Sequence, residues 1–249
     1  MSIIDIRAHV GTQPTDDRAY TTANLLAAMD AAGIDHALCT HWGAIRYDAR
    51  EGNRRAWLAC ENESRLAPIA VINPAAYVGI RDAVIEAKAL GCVGYHLMPS
   101  VHGWSIGGVA ADRALTYLND AELPVTIEIA SPEQPLPIYR ATDGMAAPVI
   151  LTGVNYALLG EVMAMLERCD DLYLEASRLC TPGVVELLCR TVGASRLLFG
   201  SGAPEWHPRP TLAMIQEADI SPVAIDAIMG GNAQRFYDLD DADDEEATP

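Results

Sequence analysis

Lysine is nearly absent from this chain. Lys88 stands alone against 16 arginines, and the 17 bases face 34 acids. A net charge of −17 lacks the basic face that nucleic-acid binding needs, and argues against such a partner. Seven acids crowd into Asp238–Pro249; without them 27 acids still face 17 bases, a net of −10. Residues 238–249 read as a solvated, disordered tail behind a domain spanning 1–237. No apolar run approaches the roughly 18 residues that span a bilayer, and no basic-then-apolar leader precedes the first strand. The expectation is a cytoplasmic protein with no membrane contact. C-x-x-C is missing too. The six cysteines (Cys39, Cys60, Cys92, Cys169, Cys180, Cys189) read as free thiols, none marked as a nucleophile. There is no G-x-G-x-x-G after the first strand, where His9-Val10-Gly11-Thr12 stands instead. That weighs against a doubly wound open sheet. No linker, internal repeat or low-complexity segment precedes the tail.

What is present is a regular alternation. Half of the 249 residues are hydrophobic, enough for one well-buried domain. Short β-rich runs lie at 2–11, 36–41, 67–73, 92–97, 123–129, 148–152, 172–175 and 196–200. Helical patterns separate them at 21–33, 51–64, 75–90, 110–121, 136–145, 157–169 and 182–193, with a helical remainder to Tyr237. A Gly-rich loop holding His102 and Trp104 fills 98–109. Eight strands with helical crossovers predict an α/β fold, a single (β/α)8 TIM barrel.

Barrel enzymes carry their chemistry at the C-terminal strand ends. Arg7, His9, His41, Asn73, His96, Glu128, Thr152, Asn155, Glu175, Ser201 and Glu205 fall there. Such a mouth is a ligand site or merely solvated surface. His41-Trp42, His102, Trp104 and Trp206-His207 line a pocket for a flat substrate or pack loops.

Several local runs carry a family likeness in this order: Ile4-Asp5-x-x-x-His9, Gly91 to Pro99, Leu123-Pro124-Val125, Leu172 to Ser177, Leu197 to Pro204, and Gly231 to Tyr237. Together they resemble the amidohydrolase-related proteins that include aminocarboxymuconate-semialdehyde decarboxylase and related hydrolases and decarboxylases. The resemblance implies a divalent metal held by two histidines on the first strand, one on the fifth, often one after the sixth, and an aspartate after the eighth. This chain departs from that set. Arg7 replaces the first histidine and Glu128 stands where strand five would place its own. Thr152-Gly153 has no histidine. Gly200-Ser201-Gly202-Ala203-Pro204 replaces Gly-Ser-Asp-x-Pro, so the family's general base is missing. Only His9 remains, and a catalytic zinc needs about three protein ligands.

Two readings follow. In the first, a divergent enzyme hydrolyses or decarboxylates a small carboxylated or cyclic substrate without the usual metal. Catalysis falls to His9, His96 and Glu128, with substrate contacts from Arg7, His41, Asn73, Glu175 and Ser201. A rearranged site of His9, His96 and Glu128 holding one divalent ion (zinc) is the alternative to no cofactor. In the second, the barrel is a pseudoenzyme that binds a ligand or an active paralogue. The resemblance also admits a homodimer. Arg7 separates the readings: a closed bidentate pair with Glu128 favours the pseudoenzyme, and an open pocket favours a working site.

Overall fold

The computed structural model describes residues 2–13, 19–76, 79–237 and Leu239. The tail expected at 238–249 therefore lies outside the described residues, Leu239 excepted.

Strand β1 (Ile4–Thr12) pairs on one edge with a short antiparallel strand, β2 (Ala19–Tyr20). On its other edge seven parallel strands follow in chain order: β3 (His36–His41), β4 (Leu66–Val71), β5 (Gly94–Leu97), β6 (Val125–Glu128), β7 (Val149–Thr152), β8 (Leu172–Glu175) and β9 (Leu197–Leu198). The sheet then curls back on itself. The amide of Ile6 donates to the Phe199 carbonyl at 3.1 Å, and that of His9 to the Ala203 carbonyl at 2.8 Å. The eight parallel strands thus form the nearly closed barrel that the alternation predicts.

Helices α1 (Thr22–Ala32), α2 (Trp42–Arg46), α3 (Ala49–Cys60), α4 (Ile80–Ala89), α5 (Pro99–His102), α6 (Val109–Ala121), α7 (Pro135–Thr142), α8 (Leu159–Leu166), α9 (Val184–Thr191), α10 (Arg209–Gln216), α11 (Pro222–Asp226) and α12 (Asn232–Phe236) wrap it. Local chemistry sets their ends. The Thr21 hydroxyl caps α1 by accepting from the Asn24 amide, and Gly33 ends it at φ 73°. Two differences from the sequence reading are single-turn helices: α2 directly after β3, and α5 inside the expected loop at 98–109. Helices this short show no 3.6-residue period.

Alternation along the strands sorts the side chains into layers. Ile4, Ile6, Leu38, Ile69, Ile150 and Leu198 form one apolar cluster inside the barrel. Ala8, Val10, Ala37, Cys39, Tyr95, Leu97, Ile127 and Leu174 belong to the separate cluster under the helices. One step above the inner cluster, the inward positions become Thr40, Val71, His96, Glu128, Thr152 and Glu175. β1 breaks its own alternation: its register against β3 shifts between Asp5 and Ala8. The bulge lets Ile4 and Ile6 face the floor while Arg7 and His9 turn into the polar layer above it.

The floor is sealed by Tyr237, 1% exposed, whose hydroxyl has no hydrogen-bond partner. Its ring is among the inner cluster and its oxygen is a buried polar burden. Tyr237→Ala is expected to cost about 3–5 kcal/mol in denaturant unfolding, whereas Tyr237→Phe is expected to be neutral or stabilising.

Candidate active site

Arg7 sits at the centre of the polar layer. Its Nη1 donates to Ser177 Oγ at 2.8 Å. Nη2 lies 3.5 Å from Glu128 Oε1, and Nη1 lies 4.0 Å from Glu175 Oε2. This is neither the closed bidentate pair nor a fully open one. A single guanidinium is shared among two carboxylates and a hydroxyl, and its Nε is buried without a partner.

Glu175 is fully buried at the end of β8. The Ser177 hydroxyl donates to its Oε2 at 2.9 Å, and the Ser177 amide donates to Oε1. Burial pushes the carboxyl above the ordinary range; Arg7 and the Ser177 contacts pull the other way. Gly200 makes room for it, because any Cβ there would overlap the Glu175 carboxylate.

Two buried histidines feel the charge of the arginine. His9, 3% exposed, has Nδ1 at 2.7 Å from Thr40 Oγ1 and its ring 5.0 Å from that of Trp42. His96, 4% exposed, has no partner for Nε2. Burial, followed by the charge of Arg7, holds His9 well below the usual imidazole range and His96 down at about 3. Both are neutral at pH 7. Thr152 Oγ1, on β7 beside Glu128, is buried and unpartnered as well.

Below this layer lies a residue that the sequence reading quoted only as part of a motif. Asp5 is fully buried. Its Oδ1 accepts from the Arg7 amide at 3.0 Å and the Ser201 amide at 2.9 Å, and its Oδ2 accepts from the Ser201 hydroxyl. Ser201, expected as a substrate contact, is thus spent on joining β1 to the segment after β9. Burial raises the Asp5 carboxyl to about 7.

The other expected contacts are not brought to Arg7. His41 faces outward. It caps α2 by accepting from the Gly43 amide at 2.9 Å, and its ring lies against Gly11. Asn73 accepts from the Ala75 amide at 3.0 Å and lines a separate cleft of about 690 Å3 between α3 and α4. Thr40 and Ser177 were missed as site members. Thr40 could have been found from strand alternation, being the inward neighbour of His41. Gly202, where the family pattern has aspartate, adopts φ 77°; a Cβ there would lie 3.2 Å from the indole of Trp206. The Arg178 guanidinium stacks on that indole at 4.4 Å.

Asp5 generates a pH test. Its raised value means that the folded state favours the protonated acid, so its contribution is complete below 3.8 and is lost as pH rises toward about 7. Asp5→Asn keeps the shape without the titration. Between pH 4 and 7 the variant is expected to gain stability relative to wild type, by on the order of a few kcal/mol. Thermal midpoints of both proteins measured across that range check it; parallel curves would contradict the assignment.

The amidohydrolase sequence profile matches residues 4–239. Comparison with curated proteins found no match. Among solved structures, 5-carboxyvanillate decarboxylase from Novosphingobium aromaticivorans, complexed with manganese and 4-hydroxy-3-methoxy-5-nitrobenzoic acid, superposes at TM-score 0.76 with 14% identity, covering 96% of each chain. 2,6-Dihydroxybenzoate decarboxylase from Rhizobium gives 0.74 at 14% identity, over 96% of this chain and 99% of its own. An uncharacterised TIM-barrel protein from Bordetella bronchiseptica gives 0.74 at 18%, over 95% and 98%. These likenesses concern the fold. At Arg7, where the family resemblance implies a histidine ligand, the chain carries a guanidinium, which cannot itself coordinate a cation. Among the described residues no group of three or more His, Cys, Asp or Glu side chains is placed to hold a metal ion. With the profile matched over nearly its whole length, this chain belongs to the amidohydrolase family.

Proposed function

We propose that this barrel binds a small carboxylated or cyclic substrate at Arg7 and hydrolyses or decarboxylates it without the family's metal. One observation supports this most directly. Arg7 Nε, His96 Nε2 and Thr152 Oγ1 are buried polar atoms without partners in one inner layer. Buried polar atoms left unpaired are costly, and a ligand that pairs with them recovers that cost. Decarboxylases of carboxylated aromatic rings share the fold, which agrees with an anionic substrate.

The roles follow from the charges. Burial pushes the Glu175 carboxyl toward its neutral form, which weakens its hold on Arg7. The guanidinium then has attraction to spare for a substrate carboxylate, or for negative charge developing in the transition state. His9 and His96 are neutral and both lie within reach of its charge, suited to accept and return a proton. Glu128, partly exposed and 3.5 Å from Arg7, orients the guanidinium.

Calorimetric titration with 2,6-dihydroxybenzoate and 5-carboxyvanillate, paired with carbon dioxide release on chelator-treated protein, tests the reading. Arg7→Met is expected to weaken binding about 10- to 100-fold, the worth of one charge-assisted hydrogen bond. His9→Ala and His96→Ala are expected to retain binding and lose about 100-fold or more in turnover. Turnover that appears only with added manganese or zinc would sink the metal-free mechanism. Binding without turnover in the wild type would establish the non-catalytic barrel instead.

A further inference from the structure

The two histidines differ in how they are held. His9 has a hydroxyl 2.7 Å from Nδ1, whereas His96 Nε2 is buried without a partner. The Thr40 hydroxyl is the deciding atom. It has one proton and two neighbours: His9 Nδ1 at 2.7 Å and the Ala8 carbonyl at 3.5 Å. The carbonyl is only an acceptor. A hydroxyl that donates to Ala8 must accept from His9, so the proton of the neutral imidazole resides on Nδ1. The opposite choice leaves the hydroxyl turned from Ala8 and places an N–H on the far edge of the ring. That edge belongs to a ring within reach of the Arg7 charge, where a lone pair is favoured over another positive hydrogen.

We infer that Thr40 is a positioning residue: it holds His9 in the Nδ1–H tautomer and turns the Nε2 lone pair into the barrel mouth. Hydrogen bonding at one ring nitrogen decides what the other presents. His9 is then the proton acceptor of the site. Trp42, 5.0 Å from the His9 ring, limits its swing, so the lone pair keeps its direction. His96 lacks such a bond on Nε2, and its proton can occupy either nitrogen as a ligand requires. This division of labour rests on the proposed acid–base reading, but the tautomer itself does not depend on any substrate.

Long-range proton–nitrogen correlation spectra of 15N-labelled full-length protein at pH 7 read the tautomer directly. His9 resonances are identified by their loss in His9→Gln. In the wild type, His9 is expected to show an unprotonated Nε2 and a protonated Nδ1. Thr40→Ser, which keeps the hydroxyl, is expected to preserve this pattern; Thr40→Val is expected to lose it, with intensity moving to the Nε2–H form. A wild-type His9 protonated on Nε2, or a Thr40→Val spectrum identical to wild type, overturns the inference. Neither result touches the Arg7 ligand role, which calorimetry tests separately. If Thr40→Val does not fold, the wild-type spectrum alone decides.

Discussion

One guanidinium enclosed by acids governs the upper half of this barrel. Arg7 holds Ser177 and approaches Glu128 and Glu175, while its backbone amide is tied to the buried Asp5. Three carboxyl groups and one cation cannot all be charged cheaply away from water. Burial answers by pushing Asp5 and Glu175 toward their neutral forms, while Glu128, the most exposed of the three, lies 3.5 Å from the guanidinium. Burial, reinforced by the same cation, keeps the histidines uncharged. Uncharged histidines and buried carboxyls pushed toward neutrality, set around a permanent positive charge, make a coherent electrostatic unit.

The placement of that cation depends on a local irregularity. A strictly alternating β1 could not put Ile6 in the floor and Arg7 in the layer above it. The register shift between Asp5 and Ala8 accommodates both, and moves Ala8 and Val10 to the helix side of the sheet. The floor, the site and the outer core therefore meet within five residues of one strand. Asp5 then binds the Ser201 amide and hydroxyl, so the seam that closes the barrel is continuous with the support of Arg7.

Most of the fold was legible from the sequence because parallel strands covered by helices are apolar runs with clear Gly and Pro punctuation. β3 and β8 occur over the residues expected. The site was legible where a polar residue interrupts such a run on its inward parity, as at His96, Glu128 and Glu175. It was obscured where chemistry is more conspicuous than geometry. His41 attracts notice as a histidine, yet Thr40 is the residue that points inward. Asn73 lies beyond the end of β4, where alternation no longer speaks. Asp5 enters the sequence reading only as part of the Ile4-Asp5-x-x-x-His9 run, and the tertiary contact with Ser201 accounts for its buried carboxylate. No sequence pattern announces a bulge that reverses parity midway along β1.

Gly202 has a consequence for what this corner of the barrel can accept. The position carries a left-handed backbone, and the indole of Trp206 occupies the space beside its missing side chain, with Arg178 stacked on the indole. Any side chain there would press on the indole and sit in a backbone conformation that L-residues rarely adopt, so neighbour and backbone together keep this corner of the mouth closed to anything larger than glycine.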